Sequence, residues 1–108
     1  MNLCAVSGTI PRLPVVMNDG RTIRFLVTTR FPYPNDQSKI GTSAVPCSIV
    51  EPTSQIRAAL LDPNVEGKEC ECRGYMQRLA IDGPDGLRRF STEVVVDERS
   101  ILIRRSRR

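Results

Sequence analysis

The chain has 108 residues, 40% of them hydrophobic and 26% charged, with a formal net charge of +4, four cysteines and neither histidine nor tryptophan. For a chain of that length one compact domain with a single core is expected, with no room for a second. No window approaches the roughly 18 consecutive apolar residues of a membrane span, and no basic-then-apolar leader opens the chain, so a soluble, cytoplasmic protein without a membrane partner is expected.

In chain order, Leu3 to Thr9 is apolar or small and reads as a first strand, bent where Pro11 and Pro14 interrupt the ladder. Asn18-Asp19-Gly20 is a tight-turn signal, after which Ile23, Phe25 and Val27 alternate with Thr22, Arg24 and Thr28 in a second strand. Arg30 to Thr42 holds two prolines, Asn35-Asp36, Ser38 and Gly41, and is expected to project as a long loop carrying Phe31 and Tyr33. Ala44 to Val50 makes a third strand, in which Pro46 implies an edge position or a bulge. Thr53 or Ser54 then caps a short helix with Ile56, Ala59 and Leu60 on one face, stopped by Asp62-Pro63.

Glu69 to Gln77 alternates as a fourth strand, with Cys70, Cys72, Gly74 and Met76 on the core side and Glu69, Glu71, Arg73 and Tyr75 on the other. A turn-rich tip, Asp82-Gly83-Pro84-Asp85-Gly86, leads to a fifth strand over Leu87 to Val96, and Ser100 to Ile103 adds a short one. Five strands with one short helix between the third and fourth is the order of a five-stranded OB-fold Greek-key barrel, an all-β class. The expected domain is 1–103, followed by a basic tail at 104–108.

Charge placement matters more than its sum. Of the 16 basic residues 14 are arginine, a usage suited to forked contacts with phosphate. Four of them, Arg104, Arg105, Arg107 and Arg108, lie in the last five residues, so residues 1–103 hold 12 basic against 12 acidic side chains. Any binding face must therefore come from segregation of charge.

Catalysis is not expected: there is no histidine, no glycine-rich phosphate loop followed by lysine, and no serine or cysteine beside an evident base. No cofactor is implied. Cys4, Cys47, Cys70 and Cys72 lie in strand-like stretches and read as reduced, buried thiols. A metal site of Cys70, Cys72 and Cys4 is set aside, since zinc pairs are usually spaced by two to four residues and histidine is lacking.

For nucleic-acid binding, Arg12, Arg24, Arg30, Lys39, Arg73, Arg78, Arg88 and Arg89 fall on non-core strand positions or near loop tips and are candidates for phosphate contact. Phe31, Tyr33 and Tyr75 are candidates for base stacking, with a subunit interface the competing use of Tyr75. Phe25 and Phe90 have core parity and are assigned to packing.

The segment Gly74 to Val96, ending Arg89-Phe90-Ser91-Thr92-Glu93-Val94-Val95-Val96, and the opening Ser7-Gly8-Thr9-Ile10, Arg12 and Pro14 resemble the bacterial single-stranded-DNA-binding proteins and their relative, primosomal replication protein N. In the former group the matching run is Arg-Tyr-Thr-Thr-Glu-Val-Val-Val. The resemblance covers nearly the whole chain and implies sequence-tolerant binding of single-stranded DNA in replication, repair or transfer, a homodimer or homotetramer, and replication proteins as candidate partners. It places Tyr33 at one of the family's stacking positions and Ala44, Val50 and Ile81 at three others, which have lost their rings. The family's acidic recruiting tail has no counterpart in Arg104-Arg105-Ser106-Arg107-Arg108. Two other readings stay open: an OB-fold protein-interaction module of a primosome or mobile-element complex with weak or no DNA binding, and an RNA binder.

Overall fold

Runs of alternating apolar and polar residues broken by Asn-Asp-Gly and Gly-Pro-Asp-Gly turns leave the chain few options other than hairpins. A computed structural model describes residues 3–105. In chain order the elements are β1 (Cys4–Thr9), β2 (Val15–Val16), β3 (Thr22–Tyr33), β4 (Asp36–Val50), α1 (Ser54–Leu60), β5 (Glu69–Asp82), β6 (Arg88–Val96) and β7 (Leu102–Arg104). A single 3-10 turn, Glu98–Ser100, precedes β7.

β3 pairs antiparallel with β4, β4 runs parallel to β6, β6 pairs with β5, β5 with β1, and β1 returns to β3. The sheet thus closes in a ring. The five strands expected from the sequence are the five of this ring, while β2 on β3 and β7 on β5 are short additions.

The ring encloses the core. Ile23, Phe25 and Val27 of β3, Cys47 and Ile49 of β4, and Val94 and Val96 of β6 are all buried, so the alternation read from the sequence selects the inward face. Leu60 from α1 and Val65 from the following loop complete it, both fully buried. Thr53 is the helix cap, its side chain accepting from the Ile56 N–H.

Cys47, Cys70 and Cys72 are buried free thiols and Cys4 is half-buried. Their hydrogen bonds to Cys72 and their burial push the Cys47 and Cys70 thiols well up from the ordinary value. Among the described residues no group of three or more side chains is placed to hold a metal ion. No described helix is long and apolar enough to cross a membrane.

Four expectations need correction. The long loop over 30–42 is instead the outer half of the β3–β4 hairpin, with Arg30 paired to Thr42 and Phe31 to Gly41. Prolines and polar residues signal a loop, but a two-stranded ribbon leaves both faces in water and tolerates them. Phe90 and Met76 keep core parity yet are 56% and 47% exposed: Phe90 lies where β5 and β6 run on past the end of the core, and Met76 sits at its margin, opposite the last core residue of that run, Val94. Arg104 closes β7 and bonds Glu69 and Glu71 through its guanidinium, so it belongs to the sheet and not to a tail. The rest of that tail from residue 106 onward lies outside the described residues.

Candidate functional site

The parallel contact of Cys47 with Val94 and Ser48 with Val95 fixes where the hairpin tips go. Parallel strands have their N-terminal ends at the same side, and both tips, at 34–35 and 83–86, lie N-terminal to this contact. The β3–β4 and β5–β6 hairpins therefore project from one end of the ring as neighbouring ribbons.

The first ribbon carries Arg30, Phe31, Tyr33 and Lys39. Phe31 and Tyr33 are 39% and 43% exposed, with ring centroids 5.9 Å apart in an edge-on arrangement. Phe31 lies over Gly41, where a side chain would collide with the ring, so glycine makes room for the aromatic. The second ribbon carries Arg78, Arg88, Arg89 and Phe90. The Arg78 guanidinium lies 3.9 Å from the centre of the Phe90 ring, a cation–π contact that holds both side chains on one face.

Between these ribbons and the β2–β3 turn, the outer face of the ring forms two adjoining clefts that share Met17 and Arg24. One, of about 320 Å³, is apolar apart from Arg12 and Arg24 and has Leu13, Val15, Leu26 and Pro46 in its wall. The other, of about 200 Å³, is lined by Asp19, Thr22, Ser48, Leu79 and Glu93. Asp19 accepts from the N–H groups of Arg21 and Thr22 and from the Thr22 hydroxyl. Led by the Arg21 bond, these hold its carboxyl below the usual carboxylate value.

Arg24 Nη2 sits 3.3 Å from Glu93 Oε2. Since Arg24 is opposite Ser48, and Ser48 opposite Val95, this ion pair bridges β4 over the short Ser48 side chain. Ser48 and Glu93 are buried in consequence, at 4% and 5% exposure.

The other candidates differ in how free they are. Arg88 pairs with Asp82 at 3.1 Å and Arg89 with Asp85 at 2.9 Å. Both pairs are exposed and worth about 0–1 kcal/mol, so an incoming phosphate displaces them at small cost. Arg12, Arg30 and Lys39 have no carboxylate partner among the described residues. Arg73 is not brought to this surface: it lines a separate cleft with Ala5, Ser7, Glu71 and Leu102. Tyr75 is 49% exposed on β5 opposite Val95. Ala44 and Val50 lie exposed on β4, while the side chain of Ile81 falls outside the described residues.

Sequence reasoning missed Phe90 and Glu93. For Phe90 the signal was available in the long stretch between Gly74 and the Asp82-Gly83 turn, more strand than one core layer covers. For Glu93 there was none, because its partner is distant in sequence.

No protein-family profile matches the chain, and no curated protein matches its sequence. Solved structures do. The chain is similar to an SSB from Plasmodium falciparum, solved in complex with ssDNA, at a TM-score of 0.72 and 14% identity, covering 96% of this chain and 93% of that one. It is also similar to a mitochondrial single-stranded DNA binding protein of S. cerevisiae, at a TM-score of 0.64 and 10% identity, covering 96% of each. At these identities the likeness shows the fold: a mostly β chain with OB-like topology and one short helix.

Proposed function

We propose that the chain is an OB-fold Greek-key barrel that binds single-stranded DNA, largely independent of sequence, and has no catalytic role. The observation that carries this reading is the pair of ribbons leaving one end of the ring with exposed rings and cations on both. Stacking on Phe31, Tyr33 and Phe90 accepts any base, while Arg12, Arg30, Lys39, Arg78, Arg88 and Arg89 answer the phosphates. The structures of similar fold, one described with ssDNA and one named for binding it, support the reading. The role in replication, repair or transfer rests on the resemblance in the Arg89 to Val96 segment.

The test is a titration with oligo-dT, oligo-rU and duplex DNA at several salt concentrations. Single-stranded DNA is expected to bind more tightly than duplex, with log K falling linearly in log salt by about 0.7 per neutralised phosphate. Equal affinity for duplex and single strand contradicts a groove that stacks bases, and tighter binding of oligo-rU moves the reading to RNA. Absence of binding to all three turns it to a protein-interaction module, which the lost rings at Ala44 and Val50 favour.

A homodimer or homotetramer is part of the proposal. β1 pairs with β5 along its whole length but meets β3 only at Thr9 and Thr28, so most of its other edge has no strand partner among the described residues. A sedimentation mass of 12.1 kDa across micromolar concentrations would overturn it.

A further inference from the structure

Among the carboxylates of this surface Glu93 stands apart. It is 5% exposed, it lines the 200 Å³ cleft, and its Oε2 accepts no hydrogen bond although the Arg24 guanidinium is 3.3 Å away. A buried carboxylate oxygen without a donor costs roughly 1–3 kcal/mol or more. Phosphate cannot relieve that cost, since it brings only acceptors and like charge. The neighbouring carboxylate, Asp19, is already saturated by three donors.

Nucleobases differ in what they offer such a group. Thymine presents one N–H between two carbonyl oxygens, and the amino groups of adenine and cytosine each sit beside a ring-nitrogen acceptor. Guanine alone presents two adjacent donors, N1–H and the 2-amino group, next to the O6 acceptor. Arg24 and Glu93 side by side offer the complementary series: guanidinium donors for O6, then two carboxylate acceptors for N1–H and the 2-amino group. Met17 and Leu79 on the cleft walls provide apolar surface for the ring faces. At about 200 Å³ the cleft is smaller than the roughly 300–1,000 Å³ of drug-sized pockets, in keeping with a single heterocycle.

From this we infer that the Arg24–Glu93 cleft is a guanine-selecting subsite, which biases one position of the bound strand while the ribbons hold the rest without regard to sequence. The inference rests on the single-strand reading and adds a specificity to it. Access requires the half-buried Arg24 head to shift aside from over Glu93 as the base enters, while staying within reach of O6.

The test uses the full chain and thymidine oligomers that differ at one central position. The oligomer with guanine is expected to bind about tenfold more tightly than all-thymidine. Inosine, which lacks the 2-amino group, is expected to keep only part of that preference. Glu93→Gln is expected to bring the guanine and thymidine oligomers together, because the amide replaces one acceptor by a donor. Should Glu93→Gln fail to fold, the guanine, inosine and adenine comparison on the unaltered chain and the Arg24→Lys variant, which loses the fork, decide the matter. Equal binding of guanine and thymidine oligomers, equal preference for adenine or cytosine, or a preference that survives Glu93→Gln overturns the subsite while single-strand binding stands. Failure of every oligomer to bind overturns both.

Discussion

Replacing Phe31 and Tyr33 together by alanine is expected to weaken single-strand affinity about 150-fold, or ~3 kcal/mol, with the salt slope nearly unchanged. Each ring stacked on a base is worth about 1–3 kcal/mol. The two rings touch at 5.9 Å, so their contributions fall short of a simple sum. The slope stays because stacking releases no counterions, whereas Arg30→Ala on the same ribbon should lower it by up to about 0.7 if the guanidinium meets a phosphate. Thermal stability should move little, since the rings are 39% and 43% exposed on a ribbon outside the closed core. Oligonucleotide titrations at three salt concentrations, with a melting curve for each variant, check this. A double variant that binds like the parent but melts far lower would make the rings packing residues and move the interaction-module reading ahead.

Gly74→Ala is expected to cost ~3 kcal/mol or more of stability, a fall in melting temperature of roughly 10–25 °C. Gly74 is where β5 passes from pairing with Cys4 of β1 to pairing with Val96 of β6. A Cβ there would collide with the carbonyl oxygen of Val95 and meet the Val96 Cα at 3.0 Å. Backbone on a paired strand cannot retreat as a flexible side chain does, so the ring has to open or bend at that corner. Gly86→Ala is the comparison: its site is open, and the cost there is only the positive φ of 79° at the ribbon tip, about 1 kcal/mol. Thermal or urea unfolding of the two variants separates collision from backbone strain. Near-equal melting temperatures would refute the close approach at Gly74. Binding should follow stability in Gly74→Ala, because β5 leads from that pairing into the second ribbon.

Local chemistry was enough for the parts that local chemistry controls. The alternation of Ile23, Phe25 and Val27 against Thr22, Arg24 and Thr28 named the inward face of β3, Thr53 was a capping residue wherever the helix packed, and Gly83-Pro84-Asp85-Gly86 allows little besides a tip. Arg30, Phe31, Tyr33, Lys39, Arg78, Arg88 and Arg89, candidates by residue type and strand position, lie on the two ribbons. What needed the tertiary structure was where coverage ends and which distant residues meet. Phe90 obeys the same period of two as Val94 and Val96, yet it is exposed because β5 and β6 run on beyond the buried core, and that follows from strand length relative to the ring. Arg30 to Thr42 has a loop's composition but pairs as a ribbon, because its pairing partners are its own two halves and neither face has to be apolar. Arg24 and Glu93 are far apart in sequence and meet only because β4 lies between β3 and β6 with a serine at the crossing. A strand's pattern encodes which way each side chain points, whereas what it points at depends on closure of the sheet, a property of all the strands together.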